Sequence, residues 1–352
     1  MKIAETSVLE REKVLVKGKI GVFGDLHLSA KYEGAHRNYV GTCLQVMYDI
    51  EEIVKSENLD SIVFLGDIIG VNERNITDRE FFYHVCSFFK RLNKACKGRV
   101  FSVVGNHDFG DFPDFMFLRR FGLLRNPKFI DLVNENNQPD TRFHFVNYGE
   151  ESRELEILSN GSNVIFGHAP YEIDGVTNWY HHKDKVDLRN RSNFNGVGLI
   201  VSGHIHPGTT TTLTGKLPDG ELVSLVFLGN PTRVTDRIES CQYLTFTYQD
   251  GNTLYESGDF PLQPLDKEFF PQDEFIIQDT NIDPQEEKRI QSLQNIIGEI
   301  LKSRLLSQDV LSQIEAIPDA SPSARNLALD YMRKALDMND VPVKQVKRKK
   351  GA

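Results

Sequence analysis

Five times in this chain a short apolar run stops at a glycine, and a residue able to bind a metal follows at once. The segments are Ile20-Gly-Val-Phe-Gly-Asp-Leu-His27, Ile62-Val-Phe-Leu-Gly-Asp67, Val100-Phe-Ser-Val-Val-Gly-Asn-His-Asp108, Val164-Ile-Phe-Gly-His168 and Leu199-Ile-Val-Ser-Gly-His-Ile-His206. Each run is rich in β-branched or aromatic residues and has the length of a buried strand. Each glycine permits a sharp turn at the strand's end, where a side chain would clash. If the strands lie side by side in one sheet, their ends gather Asp25, His27, Asp67, Asn106, His168, His204 and His206. A lone Gly-Asp or Gly-His ordinarily marks a turn or a hydrogen-bonded histidine. Five of one form, holding half of the ten histidines when His107 is counted, point to one site. Oxygen and imidazole donors without thiolate suit manganese, iron or zinc in a catalytic centre rather than a closed structural zinc.

At 352 residues the chain has room for one large domain and a smaller appendage. A hydrophobic fraction of 39% fits a folded body with polar tails. No stretch is long and apolar enough to cross a membrane, and the N-terminus lacks a signal-peptide core. Cys43, Cys86, Cys96 and Cys241 show no paired spacing, which predicts reduced thiols and a cytoplasmic protein. The net charge of −9 argues against a broad basic surface for nucleic acid. It does not exclude DNA chemistry, because bound divalent ions would themselves be the main positive charge at the site.

Along the chain, residues 1–18 form a charged segment with a short edge strand near Val14–Val16, and residues 19–250 form the catalytic body. Leu44, Met47, Tyr48, Ile50, Ile53 and Val54 have helical spacing, as do Phe82, Val85, Phe88 and Phe89. Both fit helices crossing between parallel strands. Leu222–Leu228 and Tyr243–Tyr248 read as later strands. Residues 251–283 carry prolines and acids with little periodicity and read as a linker or reduced cap. Asp283-Pro284 opens a helix striped by Ile290, Leu293, Ile297 and Leu301, and Ser321-Pro322 opens a second. Residues 284–340 are thus expected to form a helical hairpin that packs on the body or on a partner. Residues 341–352 form a basic tail.

The blocks Gly-Asp-x-His, Gly-Asp, Gly-Asn-His-Asp, Gly-His and Gly-His-x-His, in this order across residues 20–206, resemble the calcineurin-like metallophosphoesterase superfamily. The resemblance implies an α/β fold: two mixed β-sheets packed face to face and flanked by helices, a four-layer sandwich, here with a C-terminal helical hairpin. It implies two divalent metal ions, expected to be manganese. Asp25, His27 and His206 would hold one, Asn106, His168 and His204 the other, with Asp67 bridging. Two close divalent ions can activate water near neutral pH and clamp the oxygens of a phosphate ester. By the same resemblance His107 protonates the leaving oxygen or steadies charge on phosphorus, with a pKa suited to the task. Asp108 orients a histidine or the turn. Arg233, His181 and His182 are candidate substrate contacts, with Trp179 available to stack; ordinary surface roles for all four are the simpler reading.

Gly24-Asp-Leu-His-Leu-Ser29, Ser202-Gly-His-Ile-His-Pro207 and Gly229-Asn-Pro-Thr-Arg233 look like the opening and closing blocks of SbcD-type double-strand-break repair nucleases. That resemblance implies DNA as substrate and an SbcC-like coiled-coil ATPase clasped through residues 284–340. A homodimer is an arrangement the sequence leaves open. Ile68-Ile-Gly-Val-Asn-Glu-Arg74 departs from the family's segment after Gly66-Asp67, and the cap is short. The alternatives are a stand-alone phosphatase or cyclic-nucleotide phosphodiesterase and, last, a non-catalytic scaffold.

Overall fold

In the computed structural model, the residues described are 13–30, 39–70, 78–108, 113–173, 185–232 and 238–263. The chain divides into units of residues 1–271 and 272–352, and every described residue lies in the first. The expected helices of 284–340 and the basic tail therefore lie outside the described residues, as do Arg233, Trp179, His181 and His182.

The strands are β1 (Lys13–Val16), β2 (Ile20–Phe23), β3 (Ser61–Phe64), β4 (Val100–Ser102), β5 (Phe129–Val133), β6 (Pro139–Val146), β7 (Ser162–His168), β8 (Tyr171–Glu172), β9 (Val186–Asp187), β10 (Leu199–Gly203), β11 (Thr211–Lys216), β12 (Leu222–Phe227), β13 (Cys241–Gln249) and β14 (Asn252–Phe260). The helices are α1 (Tyr39–Ser56), α2 (Arg79–Ala95) and α3 (Pro113–Arg120). One sheet has seven strands in the order β1-β5-β6-β7-β10-β12-β11, and another has five in the order β14-β13-β2-β3-β4. Both are mixed: β2, β3 and β4 run parallel, as do β6, β7, β10 and β12, with antiparallel partners at β13 and β11. This is the expected α/β sandwich. The ligand strands do not share one sheet, however. β2, β3 and β4 belong to the five-stranded sheet, β7 and β10 to the seven-stranded one. The site is therefore built between two facing sheets.

What holds the sheets together is an apolar layer in which Val22, Val63 and Phe101 of one sheet meet Phe143, Phe145, Phe166, Val201 and Val226 of the other. The Phe166 ring lies 5.0 Å from that of Phe143, nearly parallel, and edge-on to Phe145 and Phe246. Each ligand strand is thus buried on both faces, which explains why these runs are continuously apolar rather than alternating. Helices α1 and α2 cross over the outer face of the five-stranded sheet, where Ile50, Phe88 and Phe89 pack with Ile62 and Phe64. On α2 the buried face includes Phe81, with Phe82 only partly covered, and Asp78 caps the helix by accepting the Phe81 N–H. On α1 the expected stripe holds except at Tyr48, which is exposed. The outer face of the seven-stranded sheet is covered, among the described residues, by β8, β9 and the 3-10 turns Leu188–Asn190 and Ser192–Phe194, with Tyr171 and Phe194 packed inward.

One boundary moves. Residues 252–260, read from sequence as the start of a linker or reduced cap, form β14, paired along its whole length with β13. The turn between them is Asp250-Gly251, with φ of 52° and 86°. Two central residues with positive φ make the hairpin turn that matches strand twist, and Asp-Gly is its characteristic sequence. β14 is a largely exposed edge strand held by its backbone ladder, so it lacks the apolar alternation by which strands are recognised.

A Cβ at Gly251 would meet no atom within 4 Å, so Gly251→Ala isolates the cost of a positive φ. The substitution should lower unfolding stability by about 1 kcal/mol in a denaturant titration while leaving the site intact.

Candidate metal centre

The carboxyl ends of the ligand strands meet at the rim of the two-sheet sandwich, the position where α/β folds bind ligands. Two clusters form there: Asp25, His27 and His206, and Asp67, His168 and His204. Within each, one ligand atom from every residue lies within 4.8 Å of the others. In the first, Asp25 Oδ2 is 3.0 Å from His206 Nε2, and the His206 and His27 Nε2 atoms face one another at 3.3 Å. In the second, Asn106 Oδ1 lies 3.0 Å from His168 Nε2 and 2.8 Å from His204 Nδ1. Asp67 stands between, its Oδ2 3.2 Å from His168 Nε2 and 3.8 Å from His27 Nε2. The structure thus brings together all seven residues marked in the sequence as ligands.

The glycines before the ligands bear out the expected clash but, apart from Gly66, not the expected turn. Of the five, Gly66 alone has a positive φ. The others permit close approach: a Cβ on Gly203 would sit 2.0 Å from Asp25 Oδ1, and one on Gly105 2.1 Å from Asp67 Oδ1. The sharp turns are made by the ligands themselves, with φ of 47° at His27, 44° at Asp67 and 72° at His204. Non-glycine residues held in this region cost roughly 1–3 kcal/mol each and persist where the surroundings impose them.

Those surroundings are specific. His27 N–H donates to the Asp67 carbonyl at 2.8 Å, continuing the β2–β3 pairing past the ligands. Asp108 is buried and accepts from Ile68 N–H and Gly105 N–H at 3.0 and 3.1 Å, and from Ile69 N–H at 3.4 Å. It ties the turn after β3 to the turn after β4 and faces backbone rather than the site. Ile68 and Ile69, where the sequence departs from the nuclease pattern, are buried core residues. Asn147 and Asn126 carry no signal in the sequence. Asn147 Oδ1 accepts from Val104 N–H at 2.9 Å and from Asn126 Nδ2 at 3.0 Å, gripping the chain just before Asn106. Tyr148 N–H donates to the Val104 carbonyl at 3.0 Å, and its ring lies 5.9 Å from that of His204.

The donor atoms fit two divalent cations. His168 Nδ1 donates to the Leu65 carbonyl at 2.8 Å, which leaves Nε2 as the site-facing nitrogen. In the first cluster Asp25 Oδ2 and His27 Nε2 are the atoms turned to His206, while Asp25 Oδ1 and His27 Nδ1 are buried without a hydrogen-bond partner. Burial opposes charge on His168, but the Asp67 and Asp25 carboxylates outweigh it and push its pKa up to about 10. Burial likewise favours the neutral form of Asp67, and the His168 charge outweighs it, holding that carboxyl well below the usual range. Burial keeps His27 well below its ordinary value and lowers His107. Burial and the Asp67 charge together raise Asp108 to about 8. A buried carboxylate–imidazolium pair of this kind places a proton where a metal ion would otherwise stand.

His107 occupies the open side. Its N–H donates to Asp67 Oδ1 at 2.9 Å, and its Nε2 lies 3.1 Å from Asn106 Nδ2 and 3.8 Å from Asp67 Oδ2. Its side chain is 31% exposed, the most accessible imidazole beside Asp67.

Residues 18–208, more than half of the chain, match the calcineurin-like phosphoesterase family model. The chain belongs to the calcineurin-like phosphoesterase family. No curated protein sequence matches it. Among solved structures it is similar to a dimetal phosphatase from Danio rerio, at 14% identity over 70% of this chain and 97% of that one, TM-score 0.42. It is also similar to a 5'-nucleotidase precursor from Thermus thermophilus, at 13% identity over 69% of this chain, TM-score 0.36. The match spans 54% of that precursor's length. A third, TT1561 of Thermus thermophilus, is 10% identical over 70% of this chain and 100% of its own, TM-score 0.39. No described helix is long and apolar enough to cross a membrane.

Because the raised His168 pKa is a property of the metal-free chain, its proton must leave when a cation binds. That proton is held below about pH 10, so apparent metal affinity should rise with pH until about 10. Calorimetric titration with manganese at pH 7, in two buffers of different ionisation enthalpy, should show net proton release. Equal heats in both buffers would mean that His168 is already neutral.

Proposed function

We propose that this chain is a dimetal phosphodiester hydrolase that cleaves DNA, the nuclease subunit of an SbcD-type assembly. The observation that carries the hydrolytic part is the convergence of two oxygen–imidazole clusters on either side of one buried carboxylate, Asp67. The DNA part rests on the blocks Gly24–Ser29, Ser202–Pro207 and Gly229–Arg233.

In this reading Asp25, His27 and His206 hold one cation, Asn106, His168 and His204 the other, and Asp67 faces both. The oxygen and imidazole donors favour manganese. Two divalent ions so held supply Lewis acidity that activates water and binds phosphate oxygens. Asn106 contributes a neutral carbonyl oxygen, so the donor set carries only the two carboxylate charges of Asp25 and Asp67 and stays attractive to an anion. His107, on the open side, would in its charged form give a proton to the departing oxygen. Its burial-lowered pKa makes the charged imidazole a ready donor. Asp108 keeps Gly105 and Ile68 in register, so that Asn106 and Asp67 stay aimed at the same space.

His107→Ala should reduce turnover of bis(p-nitrophenyl) phosphate by roughly 10²–10⁴-fold while the manganese content stays at the wild-type level. Wild-type turnover in that variant would remove His107 from the chemistry. Manganese-dependent cleavage of linear duplex DNA supports the nuclease reading; hydrolysis of p-nitrophenyl phosphate with none of DNA would favour a stand-alone phosphatase.

Residues 284–340 are proposed to clasp a coiled-coil ATPase. Deleting 284–352 should abolish capture of such a partner and leave basal phosphodiester hydrolysis intact. Loss of both would make the segment part of the body.

A further inference from the structure

The loop that carries Asp25 and His27 is held from behind by three side chains that no part of the chemistry uses. Asn230 Nδ2 donates to the Asp25 carbonyl at 2.9 Å, Thr232 Oγ1 to the Leu26 carbonyl at 2.8 Å, and Tyr39 OH to the His27 carbonyl at 3.0 Å. Three consecutive carbonyls of the ligand loop are thereby each matched to one side-chain donor. The three also touch one another: Thr232 Oγ1 lies 2.8 Å from Asn230 Oδ1 and 3.0 Å from Tyr39 OH, so each hydroxyl has one proton to place between a loop carbonyl and a neighbour within the group. All three are buried. They come from the turn after β12 and the first residue of α1, elements that supply no ligand.

The loop needs such a hold. His27 has a φ of 47°, and a non-glycine residue keeps that conformation only where its surroundings impose it. Its N–H is fixed to the Asp67 carbonyl, and its carbonyl is fixed by Tyr39, so the peptides on both sides of the turn are constrained. Closer still, a Cβ on Gly24 would lie 2.1 Å from the Gly229 carbonyl oxygen. The turn after β12 therefore rests directly on the ligand loop. The second cluster is held differently, by Asp108 and Asn147. The clusters themselves touch, through the His27 N–H on the Asp67 carbonyl and the His204 N–H on Asp25 Oδ2 at 2.7 Å, but in these hydrogen bonds none of the five supporting side chains serves both.

We propose that Asn230, Thr232 and Tyr39 are positioning residues for the cation site of Asp25, His27 and His206, and that they set the affinity of that site rather than that of the other. The proposal rests on the metal-centre reading above and deepens it. Buried hydrogen bonds to backbone carbonyls fix the direction in which the adjoining side chains leave the chain. Removing a donor leaves a buried carbonyl unmatched, and the loop then relaxes toward ordinary φ, turning His27 and Asp25 away from His206. Loss of outer support of this kind typically weakens metal binding about 10–100-fold.

The test uses manganese as the probe and the whole chain. Thr232→Val preserves shape and removes the hydroxyl; Thr232→Ser restores it; Tyr39→Phe removes a different donor to the same loop. Manganese equivalents and affinities are read by equilibrium dialysis and by the spin-coupled electron paramagnetic resonance signal of a metal pair. The wild type should bind two equivalents. Thr232→Val and Tyr39→Phe should bind one as tightly as wild type and the other at least tenfold more weakly, with loss of the coupled signal at limiting metal. Thr232→Ser should recover both. In a His206→Ala background, where the first cluster is already broken, Thr232→Val should leave the remaining equivalent unchanged. Equal weakening of both equivalents, or weakening of the one that survives His206→Ala, would show a general structural role and overturn the proposal. Two wild-type equivalents left intact in Thr232→Val and Tyr39→Phe would overturn it while leaving the metal-centre reading standing. A wild-type chain that takes up no manganese would sink both. If Thr232→Val does not fold, as judged by circular dichroism, Tyr39→Phe carries the same comparison.

Discussion

The Asp67 carboxylate is the point at which the two halves of this fold are forced to agree. It leaves the end of β3 in the five-stranded sheet, yet its Oδ2 lies 3.2 Å from His168 Nε2, carried by β7 of the seven-stranded sheet. Its Oδ1 takes the His107 N–H at 2.9 Å. A buried carboxylate without compensating charge is costly to an extent that few proteins tolerate. Here the largest compensating charge is that of His168, from across the sheet interface, so the register of the two sheets is tied to one group. The aromatic layer of Phe143, Phe145, Phe166 and Phe246 fixes the sheet spacing from which that contact follows.

The same closeness explains the glycines and the strained ligands together. With carboxylate oxygens about where a Cβ would stand at Gly105 and Gly203, no side chain fits there. The change of chain direction is then passed on to His27, Asp67 and His204. Their left-handed conformations are a local cost, offset by backbone pairing that continues beyond the strand ends and by the buried Asp108 and Asn147. Strain concentrated at a rim and supported by a rigid sandwich is how a fold holds reactive geometry without yielding to it.

The ligands are legible in the sequence because each sits at the end of its own strand or within four residues of it. A buried run and the residue that ends it are neighbours in the chain, and only the meeting of the five ends is a tertiary fact. The supports are not legible for the opposite reason. Tyr39 reaches Thr232 across 193 positions, and Asn230 reaches Asp25 across 205. In Gly229-Asn-Pro-Thr-Arg233 the charged Arg233 is the conspicuous residue, whereas the buried donors are the neutral Asn230 and Thr232. β14 is hidden because an edge strand needs only a backbone ladder, and its one local signal is the pair Asp250-Gly251. The role of the glycines is ambiguous because a turn and a close approach leave the same mark in a sequence.

The central claim is that the seven donors enclose two cations rather than a proton network. Diffraction from manganese-soaked crystals, with anomalous differences collected at the manganese edge, addresses it most directly. Two anomalous peaks about 3.5–4 Å apart, with Asp67 between them, are expected. One would lie within coordination reach of Asp25, His27 and His206, the other of Asn106, His168 and His204. A single peak, or none, with His168 Nε2 still paired to Asp67, would contradict it.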